Sequence, residues 1–379
     1  MYVTKLRYEN YRNLENGEIS PSPGMNVIYG ENAQGKTNLL EGIWLFTGGH
    51  SFRGAKDSEI PRLDPEKGTN SAYTKLKMDF FSKERDQTAV LAIQNGRRSS
   101  VVNGVEKKTG TALVGKICAV IFSPEHLLLI KEGPGRRRNF MDGAICQIKP
   151  GYAKTVSAYN RCLMQRNALL KELSKTPALS DTLGVWNRRI AEYGAQIMLA
   201  RQEYARLLLQ KLAPVYRGIS REREEMDIRY QLSVKLTENF TQEEAQEAFA
   251  QALVKNEASD IRAGFTTAGP HRDDLDIYIN TLSARMYASQ GQQRSAVLSM
   301  KLSEAEILAE STGETPLVLL DDVMSELDAG RQDYLLNHLH DKQVFITCCA
   351  PETVNLMEKG RRFYVEKGII QTENESPCV

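Results

Sequence analysis

The sequence predicts an α/β fold of mixed sheets carrying an inserted helical-hairpin lobe. Three observations lead there. The strand text Met25–Tyr29 runs straight into the loop GENAQGKT (30–37), and helical text from Thr37 to about Phe46 comes next. Far downstream an apolar strand, PLVLLDD, ends in two acids, Asp321 and Asp322. Between them Tyr152, Val156, Tyr159, Leu163, Leu170 and Leu173, then Leu183, Trp186, Ile190, Tyr193, Ile197, Tyr204 and Leu208, recur at helical spacing on either side of the breaker SKTPALSD (174–181). The α/β text is therefore split in sequence. Residues 1–125 and 265–379 form one lobe, and 126–264 form a helical lobe with a short antiparallel arm.

Bulk properties narrow the classes. The chain has 379 residues, 41% of them hydrophobic, enough for a sizeable core. Lysines plus arginines (49) nearly balance the acids (48), so any nucleic-acid surface must be local. The six cysteines show no C-x-x-C spacing, which fits reduced thiols in a cytosolic protein. The opening MYVTKLRYENYRN has no apolar signal core, and no apolar run approaches the ~18 residues that cross a bilayer. A soluble cytoplasmic protein with no membrane partner is expected.

In chain order, residues 3–29 read as short strands. From about Tyr73 to Val105 the text is β-rich, with LKMDFF and TAVLAI as strands and Asn103-Gly104 as a two-residue hairpin turn. ICAVIF (117–122) reads as a buried strand. Each arm of the hairpin, roughly 20–30 residues, is about 30–45 Å long, and Pro214 sits near its end. Then come a strand in IRYQLSV, a helix opened by the capping-box pattern TQEE at 241–244, the strand LDIYI, a Gly-Gln-rich loop, a helix from Ser295 to about Glu310, and the strands PLVLLDD and QVFIT.

The chemistry sits at the joints. G-x-x-x-x-G-K-[ST] between a strand and a helix is a phosphate-binding loop. Gly30 and Gly35 let backbone N–H groups point inward, Lys36 charges the β/γ-phosphate position, and Thr37 offers a hydroxyl to Mg²⁺, with the helix dipole behind them. The apolar strand delivers Asp321 to the Mg²⁺ shell and Asp322 to the attacking water. SQGQQR (289–294), at a helix start, resembles the signature loop of ABC-type ATPases. It is a second anion site of hydroxyl, glycine-exposed backbone and helix dipole. One head cannot close both loops on one nucleotide, and in that superfamily the second loop comes from a partner subunit.

Taken together, YRNL (11–14), GENAQGKTNLLEGI (30–43), SFRGAKDSEI (51–60), FSPEHLLLIKEGPGRRRNFMD (122–142), GPHRDDL (269–275), SQGQQR and LLDDVMSELD resemble the RecF family of bacterial recombination mediators, relatives of the SMC and Rad50 ATPases. The resemblance implies an ABC-type ATPase head that binds ATP and Mg²⁺, dimerises on ATP, holds DNA without reading sequence, and hydrolyses ATP slowly under DNA stimulation. It also implies partners RecR and RecO, and a place in RecA loading, gap repair and the SOS response. By the same resemblance Gly30, Asn32, Gly35, Lys36, Thr37 and Asn38 form the phosphate loop. Arg12 and Asn13 lie near the base or phosphates. Ser289, Gly291 and Gln292 act in trans, and Asp328 ends the D-loop at the dimer seam. Three departures point to slow turnover. Asp322 stands where a glutamate is usual, Thr347-Cys348 where a switch histidine is usual, and Glu125 where a Q-loop glutamine is usual. In His271-Arg272-Asp273-Asp274 strand alternation would split the side chains between faces, so a structural or nucleotide-communicating network is expected rather than a metal cluster.

Two basic clusters are candidates for DNA phosphates: Arg97, Arg98, Lys107 and Lys108 about the hairpin, and Arg136, Arg137 and Arg138 before the helical arm, some of the latter also readable as internal ion pairs. Alternative readings are an SMC/Rad50-like structural tether, an OLD-type ATPase or a transporter ATPase subunit. The short arm without a hinge domain, the lack of an extra acid cluster, and the lack of any coupling groove in the sequence argue against each in turn.

Overall fold

Strand alternation in the first hundred residues builds a six-stranded antiparallel sheet, in the order Gly17–Ile19, Tyr2–Glu9, Tyr73–Ser82, Arg85–Gln94, Arg97–Val102, Val105–Lys107. The structure is a computed structural model and describes residues 1–64, 68–107, 112–173, 182–349 and 360–373. In Tyr73–Ser82 the even-numbered side chains are buried and the odd-numbered ones face outward, as period two demands. Asn103 and Gly104 take φ 49° and 81°, the left-handed pair that a two-residue hairpin needs, and Val102 pairs with Val105 across them.

The second large sheet carries the apolar strands, in the order Ala119–Phe122, Leu317–Asp321, Val344–Cys348, Met25–Tyr29, Arg361–Glu366, Ile369–Glu373. The first five run parallel, and the last turns back antiparallel. Leu317–Asp321 and Val344–Cys348 are buried at every position, the pattern of a sheet covered on both faces. Helix Lys36–Trp44 lies between the sheets. Its Leu39, Leu40 and Ile43 join one core with Leu6, Met78 and Leu91 of the antiparallel sheet and Ile28, Leu319, Phe345 and Phe363 of the parallel one. Full burial of each such side chain contributes about 1.5–3 kcal/mol.

The chain divides into two compact units. One is Met1–Leu127 with Gly218–Glu222 and Arg294–Val379; the other is Leu128–Arg217 with Arg223–Gln293. The sequence placed the return to the head at 265. In the structure Asp274–Ile279 pairs along its whole length with Met226–Gln231, which keeps that stretch in the second unit until Gln293. The arm is helix Tyr152–Leu173 and helix Leu183–Ser220, about 33 and 57 Å long at 1.5 Å per residue. The breaker at 174–181 lies outside the described residues. Pro214 sits near the arm's end as expected, inside the last turns of the second helix, which runs on to Ser220. The capping box at Thr241 and Glu244 forms as expected.

Other elements are new to the sequence reading. RRRNFMD lies in helix Pro134–Ile148, with Pro at its first position. Helix Ala329–His338 and the hairpin Arg361–Glu373 complete the first unit. Among the described residues no helix is long and apolar enough to cross a membrane.

Candidate functional site

Parallel pairing puts the carboxyl ends of three strands side by side. Asp321 registers with Thr347, and Thr347 with Ile28, two residues before the phosphate loop. Ligand sites of open α/β sheets form at such an edge. The loop geometry depends on its two glycines. Gly30 has φ 147° and Gly35 φ 120°. A Cβ on Gly30 would stand 2.3 Å from the carbonyl oxygen of Val365, and one on Gly35 would stand 2.5 Å from a Leu14 methyl. Lys36 is nearly buried, and its ammonium donates to the carbonyls of Gly30 (2.6 Å) and Glu31 (2.7 Å) and toward Cys349 Sγ (3.5 Å). These neutral acceptors hold the charge at the loop mouth, where phosphate oxygens would be stronger acceptors. Asn32 extends its amide oxygen to the Cys349 thiol (3.0 Å).

The acid box closes onto this loop. Thr37 Oγ1 donates to Asp321 Oδ1 at 2.7 Å, and Thr347 Oγ1 donates to the same oxygen at 2.9 Å. Burial pushes the Asp321 carboxyl above its ordinary range, and the two hydroxyl donors work against that. A hydroxyl and a carboxylate directed at one another are the hard oxygen ligands that Mg²⁺ takes, so the residues fit the ion. Asp322 is held in the left-handed region, φ 52°, with its N–H donated to Thr347 Oγ1 at 2.9 Å. A non-glycine residue there is strained, and such strain gathers at functional sites. Thr347 therefore orients both acids.

A second ring of side chains surrounds the loop. Asn13 donates to the Ala33 carbonyl (3.0 Å) and accepts from Asn38 (2.7 Å), and Arg53 donates to the Asn38 amide oxygen (2.9 Å). Arg53 was not singled out from the sequence, yet its charge is among those that draw down Asp321. Arg12 turns toward the loop helix. Its guanidinium grips Glu41 through two bonds of 2.8 Å and reaches the Glu59 carbonyl at 2.9 Å, an internal ion pair that the sequence did not reveal. The reason is burial: Glu41 is fully enclosed and needs a counter-charge. Glu41, bonded also by Tyr11 and Ser51, is a residue the sequence reading missed. Its signal was an acid on the apolar face of helix Lys36–Trp44.

Glu125 is exposed in the turn Pro124–Leu127, just past the strand whose Phe122 registers with Leu320. Asp328 caps helix Ala329–His338, accepting from Arg331 N at 3.0 Å; that bond and the Arg331 charge hold its carboxyl below the usual range.

The helix Gln290–Thr312 starts five residues earlier than the Ser295 expected from the sequence, its first turn ending the second unit at Gln293 and the rest belonging to the first. Ser289 and Gln292 make a capping box: Gln292 N donates to Ser289 Oγ (3.2 Å) and Ser289 N to Gln292 Oε1 (2.8 Å). The box occupies the serine as an acceptor and leaves its O–H to donate. Gln292 is further tied to Glu224 at 2.8 Å, and Gly291 lies within the first turn.

The basic clusters divide. Arg97 is exposed on its strand, whereas Arg98 is enclosed, paired with Asp57 (2.7 Å) and bonded to the Gly49 carbonyl (2.6 Å). Arg136 is exposed and pairs with Glu132 at 2.9 Å, whereas Arg137 is buried in a two-bond grip on Asp274 at 2.7 and 2.8 Å. Arg98 is thus an internal ion pair rather than a DNA contact, and Arg137 takes the internal ion-pair reading that the sequence left open, because a buried guanidinium must be matched locally. Lys107 ends the strand Val105–Lys107, and Lys108 lies outside the described residues. The GPHRDDL run forms a network. His271 bonds Tyr159 OH (2.6 Å) and lies 3.0 Å from the Thr266 carbonyl. Asp273 accepts from Tyr230 and Ser233, and Asp274 takes Arg137. Burial pushes the His271 imidazole down to about 4.

A phosphate loop and an acid box on one edge of a parallel sheet, with an antiparallel sheet packed over the loop helix and a helical unit inserted between the halves, define an ABC-type ATPase head of the SMC kind. The family model described as RecF/RecN/SMC N terminal domain matches residues 2–371. The chain belongs to the RecF family. It is 39% identical over 365 residues to the DNA replication and repair protein RecF of Ruminiclostridium cellulolyticum, covering 96% of this chain and 97% of that one. It is 38% identical to the Acetivibrio thermocellus protein of the same name, covering 96% and 98%. A structure of the recombination mediator protein RecF with ATP in the RecFOR pathway superposes with a TM-score of 0.90 at 37% identity, over 98% of both chains. An Smc head domain from Pyrococcus furiosus shares the fold, with a TM-score of 0.55 at 14% identity over 98% and 96%.

Proposed function

We propose that this chain is a cytoplasmic, ATP-dependent DNA-binding protein of recombinational gap repair. In this reading ATP closes two copies into a dimer around DNA, and slow, DNA-stimulated hydrolysis releases it. RecR and RecO are its partners in RecA loading and SOS induction; the names of its relatives support the coarser placement, DNA replication and repair in a RecFOR pathway. The single observation that carries the reading is the bond from Thr37 to Asp321, which joins loop and acid box in one unit.

Lys36 leaves its carbonyl acceptors for the terminal phosphates. Thr37 and Asp321 would hold Mg²⁺, which supplies neutralising charge to the phosphates. Asn13, Asn32 and Asn38 fix the loop's shape, and Asp322, with Glu125 on the same sheet edge, positions the attacking water. Ser289, Gly291 and Gln292 cap the nucleotide of the partner subunit, and Asp328 lies at the seam. Arg97, Lys107, Lys108 and Arg136 meet DNA phosphates without reading bases.

The test is complementation. Ser289→Arg blocks the seam but spares ATP binding, and Lys36→Ala removes the phosphate contact. In a mixed pair one composite site carries both defects and the other none. The mixture should regain ATPase that neither variant shows alone. No recovery, with mixed pairs shown to form, overturns the two-subunit site.

A further inference from the structure

Among the described residues the two most exposed large apolar side chains are neighbours, Met286 at 71% and Tyr287 at 69%. Leu282, at 57%, stands just before them across the strand pair Ile279–Leu282. Met286 and Tyr287 project from a one-turn helix, Ala284–Tyr287, rooted by the buried Ala284, and Leu282 opens the short strand Leu282–Ser283 that leads into it. Scattered exposed apolar residues need no explanation, but adjacent ones raised on a rigid turn do.

The turn is tied to the Ser289 loop. Ala288 N donates to the Ala284 carbonyl at 3.1 Å, and Gln293 Nε2 donates to the Ala288 carbonyl at 2.7 Å. The capping box of Ser289 and Gln292 then starts the long helix. Patch and loop are thus one piece of backbone, and whatever covers the loop reaches the patch.

We infer that Leu282, Met286 and Tyr287 are the apolar anchor by which a second copy of this chain seats beside the Ser289 loop. This inference rests on the proposed ATP-driven dimer and adds to it the side chains that hold the seam. The residue types fit. Tyrosine, methionine and arginine are enriched in the cores of interfaces, and Arg285 is exposed in the same turn. Continuity with the loop selects a second copy over another protein, because in the closed state the surface above Ser289 belongs to the partner. In a twofold dimer each anchor is used twice, so its loss is felt twice.

The experiment measures ATP-Mg²⁺-driven dimerisation of the full chain by sedimentation, alongside the binding of a fluorescent ATP analogue to the monomer. Met286→Ser with Tyr287→Ser should leave analogue affinity within about two-fold and raise the dimer dissociation constant at least about ten-fold. ATPase should fall at low protein concentration and recover at high concentration, which a folding defect would not produce. Tyr287→Phe should behave as the parent. Benzoylphenylalanine at position 287 should crosslink to a second copy only with ATP. Parental dimerisation by the double variant, or a crosslink that forms equally without ATP, overturns the anchor while leaving the dimer reading intact. If the parent itself fails to dimerise on ATP, both readings fall.

Discussion

Thr37 gives its hydroxyl hydrogen to Asp321 across 2.7 Å, latching the first turn after the phosphate loop to an acid 284 positions later. Thr347 gives a second hydrogen to the same oxygen. Burial still holds the Asp321 carboxyl above its ordinary range. The fold therefore favours the protonated form, and this residue's contribution to stability is lost as pH rises through its folded value. Asp321→Asn should raise the melting temperature of Mg²⁺-free protein near neutral pH and flatten its pH dependence. It should also cut turnover at least about 100-fold by removing a metal ligand. Thermal melts with and without ATP and Mg²⁺ decide: a nucleotide-induced shift as large as the parent's would refute the assignment.

Arg97 and Arg98 are neighbours with opposite fates. Arg98→Ala would strand Asp57 and the Gly49 carbonyl, costing about 3–5 kcal/mol and leaving the salt slope of DNA binding untouched. Arg97→Ala should change stability by less than about 0.5 kcal/mol and flatten the slope of log K against log salt by about one. Urea melts and salt titrations of the two variants should separate cleanly; identical behaviour would remove the hairpin from the DNA surface.

What was legible in the sequence was local. The phosphate loop, the acid box, the Asn-Gly turn and the Thr241 cap each need only a few consecutive residues, and each formed where it was read. What was not legible depends on long-range burial. Nothing near Arg12 in sequence reveals that it serves Glu41 twenty-nine positions away, nor does anything near Arg137 reveal Asp274. Arginine reads as surface or ligand charge until the fold encloses it. The start of the Gln290–Thr312 helix was misplaced for the converse reason, since the Ser-x-x-Gln capping box was read only as an anion loop.

His271 provides a pH test remote from the nucleotide. Its imidazole is depressed to about 4 by burial, against 6.5 when exposed. The unfolded chain therefore binds this proton first, and stability drains away as pH falls from about 6.5 toward 4, by on the order of 3 kcal/mol. His271→Gln removes that loss while keeping a polar partner for Tyr159. Denaturant midpoints at pH 7 and pH 5 should differ less in the variant than in the parent. An equal drop in both would show that other groups govern the acid limb.

Arg12 and Glu41 allow a structural role to be separated from a nucleotide contact. Glu41 is completely buried, so Arg12→Ala leaves an unpaired carboxylate in the core and should cost about 3–5 kcal/mol. Any loss of ATP binding in that variant is ambiguous, because Glu41 sits in the helix next to the phosphate loop. Adding Glu41→Gln removes the stranded charge but keeps acceptors and donors for Tyr11 and Ser51. The double variant should recover most of the lost stability, a coupling readable in a double-mutant cycle. Its affinity for a fluorescent ATP analogue should then lie within about two-fold of the parent if the guanidinium acts only on Glu41. A ten-fold loss or more, about 1.4 kcal/mol, with stability restored would return Arg12 to the nucleotide.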